Sequence, residues 1–159
     1  MEEKSLGVAI QKALHLHIEE DKKAPKHLGQ EYAILEKYDG WYMYVDFIDG
    51  KWQGIRSKTG RQLYSMGWYN EQLEAGPKPN QNLRLIFEAT IPGLIFKDAN
   101  GRFNQTKERL NNVVCICHDI LFQKYPHTIF EKRYDRLVSV LKHLDFSWLR
   151  RAGDRKSVV

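Results

Sequence analysis

Apolar residues recur along this chain at two spacings, which divide it into helical and extended stretches. Leu6, Ile10, Ala13, Leu14 and Ile18 fall at the three- and four-residue intervals that line one face of a helix. This predicts an amphipathic helix over residues 5–20, ended by Lys22, Lys23 and Pro25. Residues 31–37 then read as a strand. Trp41, Met43, Val45 and Phe47 alternate with Tyr42, Tyr44 and Asp46 as a second strand. Asp49-Gly50 suits a tight hairpin turn because both residues tolerate positive φ, and Trp52 to Arg56 is the returning strand.

The region from Gly67 to Asn82 is polar and turn-rich, with a short helix expected near Asn70 to Glu74. A strand over 83–91 places Arg84, Ile86, Glu88 and Thr90 on one face and Leu83, Leu85, Phe87 and Ala89 on the other. Asp98 to Gly101 reads as a turn and residues 113–121 as a buried strand. Thr128-Ile129-Phe130-Glu131 has the form of a capping box, opening a helix that runs near His143 with Phe130, Tyr134, Leu137, Val138 and Leu141 as its apolar stripe. The economical arrangement is an α+β fold, antiparallel sheets flanked by helices. The expected division is an amino-terminal helix over 1–24, a core over 25–143 and a basic tail over 144–159.

A chain of 159 residues suits one domain, and 42% hydrophobic with 28% charged residues is ordinary soluble composition. No apolar stretch is long enough to span a bilayer, and Met1-Glu2-Glu3-Lys4 lacks a secretory pattern, so the expectation is a cytoplasmic protein without a membrane partner, of a prokaryotic or phage-infected cell. Cys115 and Cys117 share one strand face, where buried thiols are favoured over metal ligands or a disulfide. A net charge of +5 and a pI near 9.1 favour approach to a polyanion. Arg150, Arg151, Arg155 and Lys156 form a final basic cluster, either a phosphate contact or a solvated tail.

The chemistry centres on Lys37-Tyr38-Asp39-Gly40, which ends the apolar run Tyr32-Ala33-Ile34-Leu35. A lysine amine becomes a nucleophile once it loses a proton. Alone, the four residues more often describe a solvated strand-edge lysine before a polar turn. Downstream, in order, come Arg56-Ser57-Lys58-Thr59-Gly60-Arg61, the strand bearing Glu88, and Cys117-His118-Asp119-Ile120-Leu121. Over residues 25–143 this series resembles the first four sequence blocks of the ATP-dependent DNA ligase adenylation domain. The resemblance implies a partial ligase-type nucleotidyltransferase core, ATP-grasp-like, that uses ATP and Mg2+. It makes Lys37 the nucleophile that forms lysyl-AMP and Asp39 the residue that helps position the lysine or the metal. Leu35, Glu36, Lys37, Gly40, Arg56, Lys58, Glu88 and His118 would contact the nucleotide, and Glu88 would also belong to the metal shell.

Each assignment has a plainer alternative. Lys58 stands where the family usually has arginine, with Arg56 as stand-in; both also read as exposed loop cations. For Glu88 the plain alternative is a salt bridge to Arg84 on its own strand face. His118 replaces the family's phenylalanine or tyrosine against adenine, or is a satisfied core histidine, and Asp119 could organise the strand end through backbone donors. Tyr42 stands where ligases commonly have arginine. Residues 122–159 contain no Glu-Gly-hydrophobic or Lys-x-Lys block, and there is no oligonucleotide-binding domain. The resemblance therefore implies the amino-terminal part of an adenylation domain or one subunit of a split DNA ligase acting on nicked double-stranded DNA, completed by a second ligase subunit that carries the missing blocks. RNA ligase and a non-catalytic nucleic-acid-binding module are the alternatives.

Overall fold

A computed structural model describes Leu6, Tyr32–Ala33, residues 40–153 and Ser157–Val158. Apart from Leu6, the expected helix over 5–20 lies outside the described residues, as do Leu35, Glu36, Lys37 and Asp39. A five-stranded sheet in the order β3-β2-β4-β5-β6 organises the domain. Its strands are β2 (Trp41–Ile48), β3 (Lys51–Ser57), β4 (Leu83–Thr90), β5 (Val114–Phe122) and β6 (Leu149–Arg151). The first four pair antiparallel, and β6 lies parallel to β5, so the sheet is mixed. A separate antiparallel pair joins β1 (Tyr32–Ala33) to β7 (Ser157–Val158), bringing the carboxy-terminal residues beside the strand that precedes Lys37.

The alternating pattern explains the sheet's two faces. Met43, Val45 and Phe47 of β2 share a core with Leu83, Leu85, Phe87 and Ala89 of β4 and with Cys115, Cys117 and Ile120 of β5. Helices α1 (Gly67–Ala75), α2 (Phe96–Asn104) and α3 (Phe130–Leu144) add Tyr69 and Leu73, Ala99 and Phe103, and Leu137 and Leu141 to the same cluster. Each large apolar side chain so buried contributes roughly 1.5–3 kcal/mol. Asp49 and Gly50 both adopt positive φ, 51° and 84°, in the tight turn between β2 and β3. Burial raises the pKa of both Cys115 and Cys117, and both are free thiols. Among the described residues no helix is long and apolar enough to cross a membrane.

Several local expectations change. Asp98 to Gly101 is no turn but the middle of α2: Ala99 and Phe103 are buried four residues apart, and Phe103 stacks on Trp41 at 5.5 Å. Burial of that helix face outweighs the turn preference of Asn100-Gly101. The capping box before α3 does not form. Ile129 is the residue at the helix N-cap, without a side-chain cap, and the Thr128 hydroxyl instead donates to the Tyr125 carbonyl at 2.9 Å. The buried face of α3 includes Arg133, whose guanidinium bonds both carboxylate oxygens of Asp119 at 2.9 and 3.2 Å. Within the stretch read as a basic tail, Trp148, Leu149 and Ala152 are buried, and Cys115 N–H donates to the Trp148 carbonyl at 2.7 Å. Those apolar residues bring β6 into the sheet despite the flanking arginines.

Candidate functional site

The sheet, the turn after β3 and α2 enclose a cleft of about 510 Å³ whose lining includes Gly40, Tyr42, Lys58, Arg61, Glu88 and Phe96. The sequence places these residues far apart, and three structural features bring them together. The first is cross-strand register: Tyr42 of β2 sits opposite Glu88 of β4. Opposed residues in an antiparallel pair project from the same face, so both reach one side of the sheet.

The second is a β-bulge. Ile86 pairs with Asp119 and Phe87 with Cys117, leaving His118 as the extra residue of β5. A bulge re-aims side chains, and here the His118 Nε2 lies 3.9 Å from a Glu88 oxygen, its ring 6.4 Å from that of Tyr42. The Glu88 side chain is 22% exposed, so its carboxylate keeps access to solvent. Arg84, the partner considered for it, is instead committed to Asp46 through bonds of 2.6 and 2.9 Å. Asp119 organises the bulge by accepting the Ile120 N–H at 2.8 Å and the two Arg133 bonds.

The third is the turn that follows β3. Gly60 N–H donates to the Ser57 carbonyl at 2.9 Å, and Gly60 itself adopts φ of 87°. Arg56 donates to the Gly60 carbonyl at 2.8 Å, so it braces the turn from behind. Lys58 and Arg61 line the cleft. Arg61 was not anticipated; its guanidinium donates to Asn104 Oδ1, which links the turn to α2. Phe96, Asn100 and Asn104 complete that wall at helical intervals. Their spacing was present in the sequence but was obscured by the turn assignment at 98–101.

Gly40 is needed for close approach. A Cβ there would lie 2.9 Å from the Ala89 carbonyl oxygen, 3.0 Å from Glu88 Cβ and 3.1 Å from Thr90 Cγ2. Backbone and Cβ atoms yield little, so Gly40→Ala is expected to displace β4 at Glu88. Overpacking of this kind costs about 1–3 kcal/mol. Denaturant unfolding checks the stability loss, and a titration with fluorescent ATP checks a weakened site.

Burial lowers the pKa of His118 below its ordinary 6.5, with the Asp119 carboxylate opposing the shift. The ring is therefore neutral at pH 7 and can present an aromatic face. In the unfolded chain the same imidazole takes a proton more readily, so stability falls as pH drops from 6.5 through the lowered folded pKa. His118→Phe is expected to flatten that acid-side loss while preserving or improving ATP affinity; His118→Ala is expected to weaken ATP binding by about 1 kcal/mol. Melting curves at stepped pH and ATP titrations read the two effects. Equal affinity in all three proteins would mean that His118 makes no direct contact with ATP. Tyr42 cannot replace an arginine's charge: burial pushes its phenol up to about 12, and its hydroxyl has no hydrogen-bond partner among the described residues.

No family model and no curated protein matches the sequence. Solved structures do. A protein named Pmar-Lig_Pre aligns with a TM-score of 0.70 at 16% identity, over 84% of this chain and 33% of that one. The ATP-dependent DNA ligase from bacteriophage T7, in complex with ATP, aligns with a TM-score of 0.60 at 12% identity, over 92% of this chain and 55% of the ligase. A Naegleria gruberi RNA ligase with PPi aligns with a TM-score of 0.52 at 22% identity, over 84% of this chain and 38% of the ligase. The chain thus spans between a third and about half of the length of these proteins. Its mixed sheet with three helices has the fold of a partial ligase nucleotidyltransferase domain.

Proposed function

We propose that this chain is the nucleotide-activating part of an ATP-dependent polynucleotide ligase that joins nicks in DNA, as repair, replication and recombination require. The observation that carries the reading is the shared cleft of Gly40, Lys58 and Glu88, with His118 against Glu88. Lys37 stands three residues before Gly40 in sequence. Its neutral amine attacks the α-phosphorus of ATP; the P–N bond forms, the bond to pyrophosphate breaks and the amine loses its second proton. AMP then passes to the 5′-phosphate of a nick, and the 3′-hydroxyl displaces it as the strands join. Asp39 positions the lysine. Lys58 and Arg61 hold phosphate or ribose at the rim, and His118 presents its ring to the base.

Among the described residues no group of three His, Cys, Asp or Glu forms a protein-only metal cage. The single Glu88 carboxylate suits Mg2+, which keeps several waters and takes further ligands from nucleotide phosphates. When bound, that ion offsets charge on the phosphates and the leaving pyrophosphate.

The chain alone is expected to seal 5′-phosphorylated nicks poorly and to gain activity with a second polypeptide carrying the Glu-Gly and Lys-x-Lys blocks. Lys37 is consumed as nucleophile, and Lys58 and Arg61 must also hold the nucleotide, so charge around the α-phosphate is left under-compensated. Each missing electrostatic group costs about 3 kcal/mol, roughly a hundredfold in rate. Rapid multiple-turnover sealing by the chain alone would overturn the incomplete-ligase reading. Running the assay on nicked DNA and nicked RNA duplexes separates DNA from RNA ligase, the second reading that the RNA ligase neighbour favours. No lysyl-AMP under any condition would leave a non-catalytic binding module.

A further inference from the structure

Two points flank Lys37 along the chain, Ala33 of β1 and Gly40. Lys37 follows the first by four residues and precedes the second by three. Gly40 is packed directly on β4, since a Cβ there would stand 2.9 Å from the Ala89 carbonyl oxygen. The other side is held differently. Among the described residues β1 has β7 as its one strand partner, with Tyr32 opposite Val158 and Ala33 opposite Ser157.

A two-stranded pair is marginal by itself in water. This one draws on an anchor in the main sheet. Past β6, the Ala152 N–H donates to the Cys117 carbonyl at 2.7 Å, and Ala152 is fully buried. The Tyr134 hydroxyl of α3 donates to the carbonyls of Ala152 and Gly153 at 2.9 and 3.5 Å, and Tyr134 packs against the core. Residues 154–156 alone separate this anchored backbone from β7.

We propose that β7 is a positioning strand for Lys37: its backbone ties β1 to the domain, so that the nucleophile is carried on a segment fixed at Ala33 and again at Gly40. The proposal rests on the ligase reading and adds how this chain aligns the attacking amine. In-line attack on phosphorus tolerates little error in distance or angle, and a displacement of about 1 Å can cost about a hundredfold in rate. The role belongs to the N–H and C=O groups of Ser157 and Val158.

The test removes backbone donors and spares the cleft. Neighbouring pairs in an antiparallel ladder alternate between those that exchange both bonds and those that exchange none, so Ser157→Pro with Val158→Pro removes the β7 donor in either case. Ser157→Ala with Val158→Ala keeps both N–H groups. Each full chain, with the complementing chain present, is incubated with α-labelled ATP and a divalent ion, and lysyl-AMP is followed through a single turnover. The proline variant is expected to form it about a hundredfold more slowly, with ATP affinity within about twofold of wild type, and the alanine variant to match wild type. Hydrogen exchange is expected to find one amide of Tyr32 and Ala33 protected in wild type and unprotected in the proline variant. A loss in ATP affinity instead of rate, or an equal loss in the alanine variant, would overturn the positioning role. So would absence of protection in wild type. Should the proline variant unfold at lower denaturant than wild type, Tyr134→Phe decides: loss of that hydroxyl is expected to slow the same step about fivefold at unchanged ATP affinity, and an unchanged rate overturns the proposal. If wild type never forms lysyl-AMP, the ligase reading fails and the role of β7 with it; label at the wild-type rate in a proline variant that has lost protection overturns β7 alone.

Discussion

Lys37→Ala and Lys37→Arg are expected to carry no covalent label after incubation with α-labelled ATP and a divalent ion, under conditions in which wild type becomes labelled. The expectation follows from the chemistry of the attacking group. Alanine has no nitrogen, and arginine is effectively always protonated, so neither offers a lone pair to phosphorus. Other lysines, Lys58 included, lack the following Asp and Gly that accompany Lys37. The effect is therefore loss to background rather than a graded decrease. Label that is lost in acid but retained in alkali identifies a phosphoramidate, and peptide mapping should place it at residue 37. The assay is run with and without a complementing chain. Label that persists on Lys37→Ala would remove the proposed nucleophile.

The second large effect concerns the buried pair that supports the site from within the sheet. Asp46 and Arg84 are 3% and 5% exposed and face each other across β2 and β4. Burial works against the Arg84 charge, but its bonds and attraction to Asp46 outweigh that, and the net shift of its pKa is upward. The guanidinium also lies 4.2 Å from the Tyr44 ring centroid, and Asp46 accepts the Leu6 N–H at 3.1 Å. Asp46→Ala leaves both a buried cation and an amide without that acceptor. Removing one partner of a buried ion pair costs about 3–5 kcal/mol. Asp46→Leu combined with Arg84→Met should recover much of the loss, because no charge then remains desolvated. Denaturant midpoints of the single and double variants measure the coupling; a loss below about 1 kcal/mol in Asp46→Ala would class the pair with solvent-exposed ion pairs.

Legibility followed the range of the forces involved. The β2 to β3 hairpin was readable because alternation and the Asp49-Gly50 turn are both local properties, and the apolar face of β4 was readable for the same reason. The helix α2 was misread because Asn100-Gly101 favours a turn locally, whereas the packing of Phe103 on Trp41 joins residues 62 positions apart. Arg133 was passed over on the face of α3 because a charge in an apolar stripe looks solvent-facing until its partner, Asp119, is known.

Taken by itself, the chain determined which chemistry was available: a lysine followed by Asp and Gly, a carboxylate in an otherwise apolar strand, and an aromatic ring before Asp119, in the order of a ligase adenylation domain. These are properties of residue type and spacing, and they need no coordinates. Tertiary structure decided which candidates meet. Strand register set Tyr42 opposite Glu88, one extra residue in β5 brought His118 to Glu88, and the brace from Arg56 left the cleft wall to Lys58 and Arg61. Pairing register and side-chain packing depend on contacts between distant segments, so the assembled cleft follows from the folded sheet, while the residue types that line it were already present in the sequence.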